Sequence, residues 1–225
     1  MGQPNIAMSP PIDAASLILM RETEGAPPEY LIVQRGADLV FAAGAYVFPG
    51  GRVDPPDRDE AGSRWPQLDP IDAAARIAAL RETTEETGIV VAQDPTALIS
   101  FARWLPMHEA VKRRFDTRFY IARLEGANEP VADGVETSRA FWATAADILE
   151  RCDRGDGRVI YPTRRLLERL ARFSSFAEAR AEAERLPDRI ISPWIEQRDG
   201  ENWLCIPDDA GYPVTAEPIA SAFRY

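Results

Sequence analysis

Lysine, histidine and cysteine are nearly missing from this chain of 225 residues, and each scarcity removes a kind of chemistry. Lys112 is the only lysine and stands in no Gly-x4-Gly-Lys-[Ser/Thr] segment, which excludes a P-loop. His108 is the only histidine, so a zinc site built from several histidines cannot form. On the connection from Trp104 to Arg114 it is expected as a solvated loop residue rather than an acid–base group. Cys152 and Cys205 are isolated, with neither metal-ligand spacing nor a disulfide framework, which suits thiols in a reducing cytoplasm. No Gly-x-Ser-x-Gly elbow suggests a serine hydrolase. No apolar run reaches membrane-spanning length, and Met1-Gly2-Gln3-Pro4-Asn5 lacks the charged-then-apolar pattern of an export signal.

Positive charge is also in short supply. A formal charge of −10 disfavours nucleic-acid partners and leaves no basic patch for anionic lipids. A chain so acidic can handle phosphates only with cations at its site. The length allows one full core plus a terminal addition.

Against these absences stands Arg81-Glu82-Thr83-Thr84-Glu85-Glu86-Thr87-Gly88-Ile89. On a helix Glu82, Glu85 and Glu86 lie three and four residues apart and share one face. Like charges so placed destabilise an isolated helix by roughly 0.2–0.5 kcal/mol per pair. A hard divalent cation reverses that penalty, because clustered oxygens are the ligands it takes. Upstream, Ala45-Tyr46-Val47-Phe48 has the look of a buried strand stopped by Pro49-Gly50-Gly51, where a backbone carbonyl can approach a metal.

Together these segments resemble the Nudix box, G-x5-E-x7-R-E-U-x-E-E-x-G-U with U apolar. Gly51 matches its first glycine, and Arg81, Glu82, Glu85, Glu86, Gly88 and Ile89 match its second half. Asp57 falls on the first Glu of the box, Thr83 replaces an apolar residue, and sixteen residues are inserted between Gly51 and Arg81. The insertion, about 55–67, is rich in proline and charge and is expected as an exposed loop. The helix is expected to restart with Asp69 as N-cap, Pro70 at the first position, Asp72 in a capping-box-like pair and Gly88 at C′. The segment from Leu31 to Gly51 further resembles the branch with coenzyme A diphosphatases. Arg35, Gly44 and Phe48–Gly51 are in register, while Val40 stands where that branch has an arginine. Downstream, Arg114–Tyr120 and the Glu136…Trp142 spacing resemble Nudix 19-like members.

The resemblance implies an α+β chain, a Nudix α/β/α sandwich with a mixed sheet. Residues 12–158 would form the Nudix domain, and 159–225 a C-terminal extension of helices and a hairpin packed on it. Strands are expected at Ala15–Met20, Tyr30–Gln34, Thr96–Trp104, Asp116–Leu124 and Arg139–Ala143. Helices are expected after Thr144, from Pro162 with Leu166, Leu167 and Leu170 facing inward, and after Ser175. Asp199-Gly200 marks a hairpin turn between Ile190–Gln197 and Asn202–Ile206.

The implied activity is a Mg²⁺- or Mn²⁺-dependent hydrolysis of a diphosphate linkage in a nucleoside-diphosphate-linked small molecule. Coenzyme A or an acyl derivative leads, and ADP-ribose or NADH is the alternative. A non-catalytic nucleotide sensor of the same fold is the reading from another class. Glu85, Glu86, Glu82 and the Gly51 carbonyl are the implied metal ligands. Glu82 or Glu136 would be the base, with Arg81 orienting a carboxylate. Arg35, Arg114 and Arg118 are candidates for substrate phosphates, although Arg114 and Arg118 also suit an Arg–Asp surface pairing. Trp104 is a candidate for stacking on a base, against the alternative of a core aromatic. No nucleic-acid or membrane partner is expected, the location is cytoplasmic, and a homodimer stays open.

Overall fold

The computed structural model describes residues 10–37, 42–91, 94–106, 114–126, 128–186 and 189–222. Val40, His108 and Lys112 lie outside them. Strand β1 (Ile12–Arg21) is the spine of the molecule. Its apolar run is buried almost throughout because both faces are covered. Leu17 and Leu19 enter one core, and Ile18 and Met20 enter the other, as the period of two requires.

β1 runs parallel to β6 (Phe115–Arg123) from Ile12 opposite Phe115 to Met20 opposite Arg123. Its other edge forks. Met20 and Arg21 pair antiparallel with β2 (Glu29–Arg35), whereas Ala14–Ser16 pair with β4 (Gly50–Arg52). The Ser16 hydroxyl donates into the fork, to the Pro49 carbonyl at 2.8 Å. β2 also pairs with β3 (Tyr46–Val47) and β7 (Thr137–Thr144). β6 leads to β5 (Ile99–Trp104) and β8 (Ile190–Ile191). Helices α1 (Pro55–Arg64) and α2 (Pro70–Thr87) cover one face. The other face carries α3 (Ala145–Asp153), α4 (Tyr161–Leu170) and α5 (Phe176–Arg185). This is the expected sandwich with a mixed sheet.

α2 forms as its ends dictate. The Asp69 carboxylate accepts from the Ile71 and Asp72 N–H groups, Pro70 opens the first turn, and Gly88 closes the helix at φ 66°. Ala73, Ala74, Ala78 and Ala79 are fully buried, so the helix lies close on the sheet. Asp72 differs from expectation. Its carboxylate accepts from the Tyr120 hydroxyl at 2.7 Å and the Arg76 guanidinium at 2.5 Å, serving the sheet rather than the helix cap.

The insertion also differs: it is the helix α1, not a loop. Pro55 and Pro56 occupy its first positions, where a missing N–H costs nothing, and the Asp57 carboxylate accepts from the Asp54 N–H at 2.8 Å. Asp54-Pro55-Pro56-Asp57 thus repeats the start signal of Asp69-Pro70-Ile71-Asp72. Ala61 is buried against the core beside α2, with Trp65 and Leu68 packed around it.

Beyond α3 the chain supplies the second core. Leu166, Leu167 and Leu170 are fully buried, and the Tyr30 hydroxyl donates to the Leu170 carbonyl. Ile190 and Ile191 leave the expected hairpin to join β5. The hairpin proper is β9 (Trp194–Arg198) and β10 (Glu201–Cys205), turning at Asp199 and Gly200, both at positive φ. β11 (Ala216–Pro218) adds an unforeseen third strand, followed by α6 (Ile219–Ala222). Among the described residues no helix is long and apolar enough to cross a membrane.

Candidate active site

The fork between β2 and β4 brings the glycine turn against the last turns of α2. A Cβ on Gly50 would stand 2.4 Å from the Ala15 carbonyl oxygen, and one on Gly51 2.2 Å from Glu82 Oε1. Backbone contact makes glycine a requirement at Gly50, whereas at Gly51 the missing Cβ leaves room for the Glu82 carboxylate to lie on the backbone. The Gly50 N–H donates to Glu86 Oε2 at 3.0 Å.

Arg81 ties the helix face together. Its Nε and Nη2 donate to the two oxygens of Asp57, each at 3.0 Å, a bidentate fork. Nη1 donates to Glu82 Oε1 and Glu85 Oε2, each at 2.9 Å, and Nη2 also reaches the Arg52 carbonyl. The hydrogen bonds it donates to Asp57 raise the Arg81 pKa further above its already high value, so this cation is permanent. Thr83, in place of an apolar residue, is buried and returns its hydroxyl to the Ala79 carbonyl at 2.7 Å.

The acids on α2 are unequal. Glu85 is exposed. Burial raises the Glu82 pKa, with Arg81 opposing and the Glu85 and Glu136 charges adding to the rise. Glu86 is 4 % exposed, and burial pushes its carboxyl up to about 8. The Gly50 N–H and the Arg35 charge oppose that shift, while the Glu82 and Asp133 charges reinforce it.

Arg35 and Glu136 are thus within electrostatic reach of these carboxylates. Glu136 is carried by a turn that Asp133 holds, accepting from the Val135 and Thr137 N–H groups at 3.0 and 2.8 Å. Asp133 was not foreseen. A loop acid followed by Gly134 is the sequence cue for such a turn. Asp116 pairs with Arg103, through bonds of 2.8 and 2.6 Å that hold its carboxyl below the usual range against the opposing effect of burial. The bonded partner of Asp116 is therefore Arg103, with Arg118 acting on it through charge alone. Arg114 is buried at the start of β6, its carbonyl accepting from the Ile12 N–H, and Arg118 lies 3.9 Å from Asp13.

Trp104 does not stack at the site. It is 2 % exposed, its indole N–H donates to the Tyr212 hydroxyl at 2.9 Å, and it meets Tyr161 and Tyr212 edge-on. Its position on β5 turns it into the second core.

Among the described residues no three acidic, cysteine or histidine side chains converge on one point, since Glu82 and Glu85 turn to Arg81. The donor set nevertheless fits a hard divalent cation. It consists of oxygens only, and its most buried member, Glu86, sits beside Glu82 with one backbone N–H as hydrogen-bond donor.

The NUDIX domain family matches residues 10–163, and the chain belongs to that family. It is a Nudix hydrolase, an enzyme class that generally uses divalent metal ions. A search of curated proteins found no match. Among solved structures, the NUDIX hydrolase from Alicyclobacillus acidocaldarius is 26% identical with a TM-score of 0.68, covering 78% of this chain and 97% of its own. The NUDIX domain of Shewanella oneidensis NrtR, complexed with ADP ribose, is 17% identical at 0.46, covering 66% and 82%. A Caenorhabditis elegans Ap4A hydrolase is 22% identical at 0.42, covering 63% and 86%. The last two superpose too loosely to bear on substrate.

Proposed function

We propose that this Nudix hydrolase cleaves the diphosphate linkage of a nucleoside-diphosphate-linked small molecule, with coenzyme A or an acyl derivative leading. The observation that carries the reading is Glu86, a carboxylate buried among acids with, among the described residues, no cationic side chain bonded to it. Glu85 and Glu86, with Glu82 and the Gly51 carbonyl, would hold Mg²⁺ or Mn²⁺. Such an ion, when bound, neutralises the diphosphate and acidifies a water. Glu82 or Glu136 takes the proton of the attacking water. The water oxygen forms the new P–O bond, the bridging P–O bond breaks, and the departing phosphate keeps the electron pair. Arg81, anchored by Asp57, bridges Glu82 and Glu85 and offsets the repulsion between them, and Arg35 faces the phosphates from β2. The free thiols Cys152 and Cys205 accord with a cytoplasmic location.

Coenzyme A leads because Arg35, Gly44 and Phe48–Gly51 keep the register of that branch. Val40 lacks the charge-assisted phosphate contact of its arginine, a contact that contributes roughly 1.5–3 kcal/mol. Coenzyme A should therefore be a modest substrate, and Val40→Arg should raise its kcat/KM. The test is a screen of coenzyme A, acyl derivatives, ADP-ribose and NADH with Mg²⁺ and Mn²⁺, products identified by mass. Cleavage of none of them would overturn the reading, whereas cleavage of ADP-ribose or NADH alone would replace the leading substrate.

A further inference from the structure

Two arginines around α3 are matched by nearby acids. Arg154 bonds Glu150 and Asp156, and Arg164 bonds Asp153. Arg139, Arg151 and Arg158 break this habit. Among the described residues none of the three has an ion pair or a side-chain hydrogen bond. Asp147, one turn before Arg151, is the acid that helical spacing would assign to it, yet no ion pair joins them.

The three come from β7, α3 and the segment between α3 and α4; two stack on one aromatic pair, and the third is tied to that pair by its backbone. Tyr46 and Phe141 meet edge to face, with ring centroids 5.6 Å apart. The guanidinium carbons of Arg139 and Arg151 lie 5.3 and 5.7 Å from the Phe141 centroid. Arg158 arrives from the Tyr46 side, its carbonyl accepting the Tyr46 N–H at 2.8 Å. Its Nη2 lies against Gly44, where an added Cβ would come within 3.5 Å. Gly157 closes the group, since a Cβ there would sit 2.3 Å from the Tyr46 ring.

Neighbouring cations repel one another, and stacking on Phe141 fixes the Arg139 and Arg151 guanidinium groups without consuming their N–H donors, while Arg158 lies against Gly44 next in the chain to Ala45 and Tyr46. Planar forks with free donors match phosphate oxygens. The patch also stands at the catalytic end of the sheet. Gln34 pairs with Arg139 and Arg35 with Thr137, while the Gly36 N–H bonds the Glu136 carbonyl. Arg139 and Phe141 nevertheless face the core opposite to that of α2, so one diphosphate cannot occupy both the carboxylate face and this patch.

We propose that Arg139, Arg151 and Arg158 form a second anion site, which takes a phosphomonoester that the substrate carries outside its diphosphate. This deepens the diphosphatase reading and rests on it. The first measurement needs neither metal nor turnover: calorimetric binding of adenosine 3′,5′-bisphosphate and of AMP to the metal-free protein. The bisphosphate should bind at least tenfold tighter, and the triple variant Arg139→Ala, Arg151→Ala, Arg158→Ala should erase the difference. The triple Arg→Lys variant should keep part of it. Equal binding of the two ligands by the wild-type protein overturns the proposal. The second measurement is the ratio of kcat/KM for coenzyme A over 3′-dephospho-coenzyme A, which should fall at least tenfold in the triple alanine variant. Cleavage of both with an unchanged ratio defeats the patch and leaves the diphosphatase standing. No cleavage, with the bisphosphate preference intact, defeats the diphosphatase and leaves the anion site. Thermal melting checks folding, and the exposed Arg139→Ala alone carries both tests if the triple variant does not fold.

Discussion

Asp57 at the start of α1 and Glu86 at the end of α2 are both buried carboxylates, 2 % and 4 % exposed, and they have opposite surroundings. Asp57 receives both arms of the Arg81 fork and the Asp54 N–H. Glu86 receives one backbone N–H and faces other acids. A buried charge with a bidentate partner is a structural joint. A buried charge set beside like charges is costly until a cation arrives, which is the property of a ligand.

The largest break in this comparison is Asp57→Ala. It removes the bidentate anchor of Arg81, which keeps Glu82 and Glu85, and loosens α1 from α2, so we expect about 3 kcal/mol of lost stability, measured by urea unfolding. Replacing the 55–67 segment with a short linker should likewise destabilise the fold, since that segment holds the joint. Next is Glu86→Gln, which should lower kcat at least ~10²-fold while the metal-free protein melts no lower than wild type. Turnover within a few-fold of wild type would sink the assignment of Glu86.

A pH titration sharpens the contrast. The carboxyl of Glu86 titrates near 8 in the folded protein, above its ordinary value of about 4.3 in an unfolded chain. Between those values the folded state binds more protons than the unfolded one, so stability falls as pH rises. The metal-free wild type should therefore show a melting temperature that declines from pH 5 to 8, and Glu86→Gln should flatten the decline. The smallest effect belongs to the α2 cap: Asp69→Ala should cost about 1 kcal/mol by the same urea measurement, with kcat little changed.

Much of the site was legible beforehand because its information is local. The spacing of Glu82, Glu85 and Glu86 places them on one helix face wherever that helix lies, and Asp69, Pro70 and Gly88 set its ends. The apolar run Ala15–Met20 marks its own strand, and Asp199-Gly200 predicts its own turn. α1 was missed although its signal was present. Prolines favour loops in general, but at the first helical positions after an Asp they open a helix.

What the sequence by itself determined, then, is the local geometry: helix ends, strand faces, turns and the shared face of three carboxylates, each set by neighbours within a few residues. The tertiary structure alone decided the partners. It sent Asp57 to Arg81 across an inserted helix, drew Asp116 to Arg103, buried Trp104 against Tyr212, and gathered Arg139, Arg151 and Arg158 around one aromatic pair. The physical reason is that a charge or an aromatic ring carries no record of which distant segment will face it. That is settled when the two cores close on the sheet and unpaired buried groups become too costly to keep.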